Sequence, residues 1–329
     1  MRRGLGAFAL RLAVALGGLT LVVQLAMPSG ESGLLPLLRS AWVASATEGW
    51  SWFAVAAGLF GASYAVGALR FKDLLGSAGM GLHYPTLLRA YIIASFFNLV
   101  LPGLIMGDVY RLADARRDVG SGARVLGIVV LERLLGFAAL GSMALLAAPM
   151  LPGETPLTIR AGVALLGAGV TLGPFILLTG RGQALARSLG QYLRRLSDRA
   201  SKTALEAVAA IEQAGAQRAI IARTFGLSLA NQWLPVLAVV ALARPLDTDV
   251  AFHWYAVIIP FVTLASLLPI SIGGAGVREA LFVALFGAVG MRPEVAFVLS
   301  LSTLAVALAW GSIGLLLFLS GRHQQPAAT

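Results

Sequence analysis

Charged side chains are rare in this chain, so those inside apolar runs mark where chemistry could occur. Arg111 closes the run Gly107-Asp-Val-Tyr-Arg111, just after a Leu101-Pro102-Gly103 break. Arg278 follows Gly273-Gly274-Ala-Gly276, just after a Leu268-Pro269 break. A guanidinium is a planar fork that grips phosphate through two parallel hydrogen bonds. Glycine-rich backbone ahead of a helix start offers free N–H groups and the positive end of the helix dipole, and both favour an anion. Arg111 and Arg278, with Gly273, Gly274, Gly276 and Asn98 around them, are therefore the expected substrate-binding set for an anionic, phosphate-bearing ligand. Two plainer roles stand beside this one. Gly-Gly-x-Gly also permits a tight turn and close helix packing, and Asn98 also serves as hydrogen-bonding glue between helices.

A second set would couple or gate. Asp108 lies three residues before Arg111, and Glu279 directly follows Arg278. Glu132 and Arg133 sit together inside an apolar run, eight residues past Arg124, or about 12 Å along a helix. A charge at such depth costs at least a few kcal/mol unless it is paired or functional. Adjacent helical residues point about 100° apart, so Glu132 and Arg133 should each find a partner elsewhere, with Asp108, Arg111, Arg278 and Glu279 on offer. A structural ion-pair lock and a transport role fit these residues about equally. His83, His253 and His323 are scattered, so no metal site or cofactor is expected.

The elements that carry these residues follow from composition. Of 329 residues, 58% are apolar and only 12% charged, against about 45–50% and about 25% in a soluble domain. That excludes a soluble globular fold and predicts an all-α polytopic membrane protein. There are no cysteines, which excludes disulfides, thiol catalysis and cysteine-bound metal. The net charge of +10 would point to nucleic acid in a soluble protein. Here it reads as arginine loaded into cytoplasmic loops facing anionic headgroups, and no nucleic-acid partner is expected.

A crossing helix needs about 20 apolar residues. Six runs qualify: residues 5–27, 50–69, 124–150, 159–179, 221–243 and 294–320. The first reads as a retained helix rather than a cleaved signal peptide. Arg2 and Arg3 put the N-terminus inside, residues 28–49 form an outside loop, and Arg70, Lys72 and Arg89 mark the next loop as inside. Two shorter apolar segments, residues 87–105 and 251–268, are broken by Pro102 and Pro269. If the first crossed fully, the loop with Arg111, Arg116 and Arg117 would fall outside; if the second pair crossed, its 14-residue second helix, 277–290, would fall short of the roughly 30 Å core. The expected solution is two oppositely oriented re-entrant helix pairs, about 87–111 and about 251–290, beside about six transmembrane helices. Residues 181–217 carry arginines with Leu185, Leu189, Leu193 and Leu196 at helical spacing, an amphipathic segment on the cytoplasmic membrane surface. Leu34 to Trp42 would lie in the opposite interface.

Laid on each other, the two breaks align Pro102 with Pro269, Gly107 with Gly274 and Arg111 with Arg278. The carboxylates do not align. Residues 1–150 and 151–329 then form an inverted repeat, the layout of secondary transporters. The run from Asn98 through Pro102, Gly107 and Asp108 to Arg111, the Glu132-Arg133 pair, and the run from Leu268 to Glu279 together resemble the lysylphosphatidylglycerol synthase transmembrane-region family. This is the flippase-like half of multiple-peptide-resistance-factor proteins, and it also occurs as stand-alone members. The resemblance covers essentially the whole chain and implies lipid handling or flipping. Fused members add a cytosolic aminoacyl-transferase domain, which this chain is expected to lack.

The expected function is movement of a phosphate-bearing glyco- or aminoacyl-lipid between leaflets of the cell (inner) membrane, with both termini cytoplasmic. Arg111 and Arg278 would grip the headgroup in a shared midplane chamber. The partner is a membrane lipid with an anionic headgroup, and homo-oligomerisation is left open. No P-loop is present, so any drive is an ion gradient. Neither a catalytic nor a nucleotide-binding motif is found, so an enzyme is not expected. A membrane-embedded lipid-modifying transferase would need an external carboxylate cluster, and Glu31, Glu48, Glu154, Asp247 and Asp249 form no paired motif. A non-transporting accessory subunit of a lipid or glycan synthesis complex is the remaining alternative.

Overall fold

The structure, a computed structural model, describes residues 34–101, 106–150, 156–195, 197–266 and 276–322. Among these there are eleven α-helices and no strand. In chain order they are α1 (Leu34–Ser77), α2 (Tyr84–Val100), α3 (Met106–Val119), α4 (Gly122–Ala147), α5 (Leu157–Ile176) and α6 (Gly180–Tyr192). Then follow α7 (Asp198–Gly215), α8 (Arg218–Ala243), α9 (Phe252–Ser266), α10 (Val277–Gly287) and α11 (Pro293–Arg322).

Four stretches are long and apolar enough to cross a bilayer: Gly49–Ser77, Gly122–Met150, Arg218–Leu246 and Pro293–Gly321, each 29 residues. They contain the crossings expected near residues 50–69, 124–150, 221–243 and 294–320. The run at 159–179 is α5, which bends by 71° into α6. The expected crossing at 5–27, the break at Pro102 and Gly103, and Gly273 and Gly274 lie outside the described residues. The elements flanking the two breaks are short. At 1.5 Å per residue, α2 and α3 reach about 25 Å and about 21 Å, less than the roughly 30 Å hydrocarbon core.

The structure corrects four expectations. The outside loop to residue 49 is helical from Leu34 onward. Its Pro36 stands in the first turn, where a missing N–H has no intrahelical partner to lose. The interfacial stretch from Leu34 to Trp42 is therefore the start of α1, continuous with the span. Arg70, Lys72 and Arg89 are not loop residues either; Arg70 and Lys72 lie within α1 and Arg89 within α2, and Arg70 is buried. The helix continues because Phe71, Leu74, Leu75 and Ala78 keep an i, i+3, i+4, i+7 buried face. Finally, the amphipathic segment 181–217 is two helices rather than one. Ser197 caps α7, accepting from Ala200 N at 3.4 Å. The pair α6 and α7 is antiparallel, with Arg187 bound to Glu212 and Gly190 close to Leu205.

Contacts group the chain into two compact units. One comprises Ser63–Tyr91 and Asp108–Trp233; the other gathers residues before 63, Ile92–Gly107 and residues after 233. In the first, α4 is the innermost helix: two-thirds of its apolar window is buried, against a third or less for the other three spans. It packs on α5 and α7. The contact with α7 needs Gly127, where a Cβ would stand 2.2 Å from the Ala207 carbonyl oxygen. In the second unit, α11 packs on α1 and α2. Trp310 Nε1 donates to Ala57 O at 2.9 Å, and the rings of Phe97 and Phe318 meet edge to face at 5.3 Å.

Candidate functional site

The innermost helix of its unit carries Glu132, which is 1% exposed. A carboxylate buried this deeply must be met on both oxygens, and it is. Arg70 Nη2 of α1 donates to Oε1 at 2.7 Å, and Arg111 Nη1 of α3 donates to Oε2 at 2.9 Å. The Tyr91 hydroxyl of α2 also donates to Oε1. Behind Arg70, Nη1 donates to Ser228 Oγ of α8 at 3.0 Å, and the Ser228 hydroxyl donates in turn to the Thr224 carbonyl at 2.8 Å. Arg70 Nε has no acceptor among the described residues.

Arg111 is the next rung. Its other terminal nitrogen, Nη2, donates to Asp108 Oδ1, one helical turn earlier. Its guanidinium lies 4.1 Å from the Tyr91 ring centre and 5.1 Å from that of Phe71, within the range of attraction between a cation and a ring face. Asp108 Oδ2 accepts from Arg133 Nε of α4. Asp108 also sits in the first turn of α3, where the helix dipole favours a negative charge. The result is an alternating ladder, Arg70–Glu132–Arg111–Asp108–Arg133, held by α1, α3 and α4 with α2 and α8 in support. Side-chain exposure is 9% and 1% at Arg70 and Glu132, 7% and 12% at Arg111 and Asp108, and 27% at Arg133. The ladder is sealed at its Arg70 end and opens at its Arg133 end.

Glu132 and Arg133 diverge as the helical rotation requires, one to Arg111 and Arg70, the other to Asp108. Four expected site residues, Asp108, Arg111, Glu132 and Arg133, thus come together. Arg70, Tyr91 and Ser228 complete the cluster without having been expected. Arg70 was masked by its place at the end of an apolar run, although the spacing of Phe71, Leu74, Leu75 and Ala78 is the sign that the helix goes on. Tyr91 and Ser228 carry no such sign, because each is recruited by a partner remote in sequence. Gln232 Nε2 donates to the Gly136 carbonyl at 3.3 Å, the helix-linking role expected of a polar group in an apolar segment.

Asn98 and Gly107 belong to the other unit. Asn98 Oδ1 accepts from Gly107 N at 2.8 Å, so the amide satisfies one of the first free N–H groups of α3. Gly107 allows this approach: a Cβ there would lie 2.7 Å from both Ala94 O and Asn98 Oδ1.

Arg278, Glu279 and Gly276 meet at the start of α10. Gly276 has φ +81° and caps the helix, and its N–H donates to Glu279 Oε2 at 2.6 Å. Arg278 Nη2 and Nε donate to Glu279 Oε1 at 2.5 and 3.1 Å. Ser300 Oγ stands 3.5 Å from the same oxygen. Glu279 is buried. Both expected phosphate ligands, Arg111 and Arg278, are thus held by the chain's own carboxylates. Among the described residues, no group of three His, Asp or Glu side chains converges as a metal site.

The sequence profile described as lysylphosphatidylglycerol synthase TM region matches residues 8–321. No curated protein matches the chain.

Proposed function

The chain belongs to the lysylphosphatidylglycerol synthase transmembrane-region family and is a multi-pass helical membrane protein, and from that premise we propose that it moves a phosphate-bearing lipid between leaflets of the cell membrane. The short helix pairs α2–α3 and α9–α10 are its re-entrant elements, residues 1–150 and 151–329 its inverted halves, and both termini are cytoplasmic. One observation carries the reading: a ladder of five charged side chains, Arg70, Glu132, Arg111, Asp108 and Arg133, is buried along all but its Arg133 end. Intramembrane ionisable groups of this kind are associated with substrate and ion pathways.

In this mechanism Asp108 holds the place of the substrate. A phosphodiester carries one negative charge, as Asp108 does. When it takes that carboxylate's place on Arg111 and Arg133, it adds one negative charge to the site, and the guanidinium fork gains a bidentate partner. Arg278, held by Glu279, acts by the same exchange. The acyl tails stay in lipid, and the drive is an ion gradient.

A second reading rests on the pairing of both ladder carboxylates, Glu132 and Asp108, by arginines. That favours a static lock in an accessory subunit of a lipid-synthesis complex. Reconstitution into liposomes with a panel of fluorescent lipids, scored for leaflet exchange with and without a proton gradient, separates the two. Transport predicts faster exchange of phosphate-bearing lipids, abolished by Arg111→Ala and by Arg278→Ala in protein that remains folded in the membrane. Wild-type exchange in both variants refutes the headgroup role of the arginines. No exchange of any lipid by the wild-type protein favours the lock.

A further inference from the structure

Helix α5 is apolar and exposes Leu165, Leu166, Leu172 and Ile176, each more than half accessible. At its end the chain bends by 71° into α6. The turn is tight. Thr179 caps α6 by accepting from Gly182 N at 3.2 Å, and a Cβ at Gly182 would lie 2.1 Å from the Ile176 carbonyl oxygen. If α5 stands across the bilayer, α6 must run nearly parallel to its surface. The 13 residues of α6 reach about 20 Å, too short to cross.

The faces of α6 sort in the way an in-plane helix requires. Gly182 and Gly190 are buried, and Gly190 packs on Ala204 and Leu205 of α7. Roughly a quarter turn away, Leu185, Leu189 and Tyr192 form an exposed apolar stripe, each about 60% accessible. Across the helix from that stripe stand Arg187, Gln191 and Arg194, the two arginines being engaged with Glu212 and Asp198. Arg181 flanks the apolar stripe, and the Arg195 guanidinium lies over the Tyr192 ring at 5.1 Å. Residues 180–195 contain four arginines and no acidic residue.

We propose that α6 is an interfacial anchor that lies in an anionic lipid surface. Leu185, Leu189 and Tyr192 enter the acyl boundary, and Arg181 and Arg195 bind anionic headgroups. The anchor is mechanically connected. Arg187 ties α6 to α7 through two bonds to Glu212, and α7 seats on α4 at Gly127 and Ala207. The surface composition therefore bears on the helix that carries Glu132. This holds whether or not the protein transports lipid.

The test uses the absence of cysteine from the chain. Spin labels at Leu189→Cys and Gln191→Cys, in full-length protein reconstituted in phosphatidylcholine–phosphatidylglycerol vesicles, are probed with oxygen and a water-soluble nickel complex. The expected result is a label at 189 that is open to oxygen and shielded from nickel, and a label at 191 with the reverse pattern. In pure phosphatidylcholine, or with Arg181→Gln and Arg195→Gln together, the docked-to-undocked ratio should fall by about thirtyfold, since each arginine near an anionic surface favours docking roughly fivefold. Equal exposure of both labels to nickel overturns the proposal, because α6 then stands in water. Equal shielding of both overturns it too, because α6 then continues the span. Immersion independent of phosphatidylglycerol overturns the anionic partner.

Discussion

Glu132→Gln is the sharpest perturbation of the ladder, because it keeps the shape of the side chain and removes only its charge. The wild-type carboxylate serves two arginines, yet the loss is not doubled. Arg111 keeps Asp108 as a counter-charge, whereas Arg70 keeps only neutral acceptors among the described residues, Ser228 Oγ and the new amide oxygen. The cost is therefore that of one broken buried pair, about 3–5 kcal/mol, out of a total stability on the order of 5–15 kcal/mol. Melting of the purified protein in lipid-supplemented detergent should show a clear downward shift. The diagnostic step is the double variant Arg70→Gln with Glu132→Gln, which removes both members of the pair. It should recover at least about 1 kcal/mol relative to the sum of the single variants, as coupled neighbours do. If Glu132→Gln melts with wild type, or if the two changes simply add, then the Arg70–Glu132 rung does not compensate buried charge and the ladder argument fails.

Two further outcomes follow from the same geometry. Asp108→Asn should strengthen binding of labelled short-chain phosphatidylglycerol and slow its release, because the competing carboxylate is gone; an unchanged affinity in a binding titration shows that Asp108 holds no anion's place. Gly107→Val should lower stability by about 1–3 kcal/mol and speed amide exchange in the first turn of α3, since its Cβ would lie 2.7 Å from Ala94 O; unaltered exchange there shows that α2 and α3 can part without loss.

The sequence makes α4, α8 and α11 legible because each is a predominantly apolar run of bilayer length. It also makes the divergence of Glu132 from Arg133 legible, since a rotation of about 100° per residue is fixed by helix geometry alone. Arg70 is illegible by the same logic that reads the crossings. A rule that counts arginines to orient loops treats each one as solvated, and Arg70 is buried only because Glu132, 62 residues away, meets it. The start of α1 was hidden for the opposite reason: residues 34–49 carry so little charge that topology alone leaves them loop or helix. In the α6–α7 pair the leucine spacing was visible. What was not visible is that Gly127 opens a seat for α7 on α4, because close approach depends on the partner's backbone.

Stability alone is a weak reason for a buried ladder of five charges. A well-packed apolar cluster of the same volume holds helices together as well as a buried ion pair, or better, because the pair must first be stripped of water. What apolar packing lacks is exchangeable partners. Here the exchange has a direction. Arg70 and Glu132 are buried, while Arg133 keeps part of its surface, so in the proposed transport an incoming anion would meet the Arg133 end first and Glu132 last. Displacing Asp108 leaves Arg111 still bound to Glu132, so the inner rung can hold while the outer one changes partner. In the proposed transport, that ordering would let a headgroup enter without the collapse that loss of Glu132 would bring.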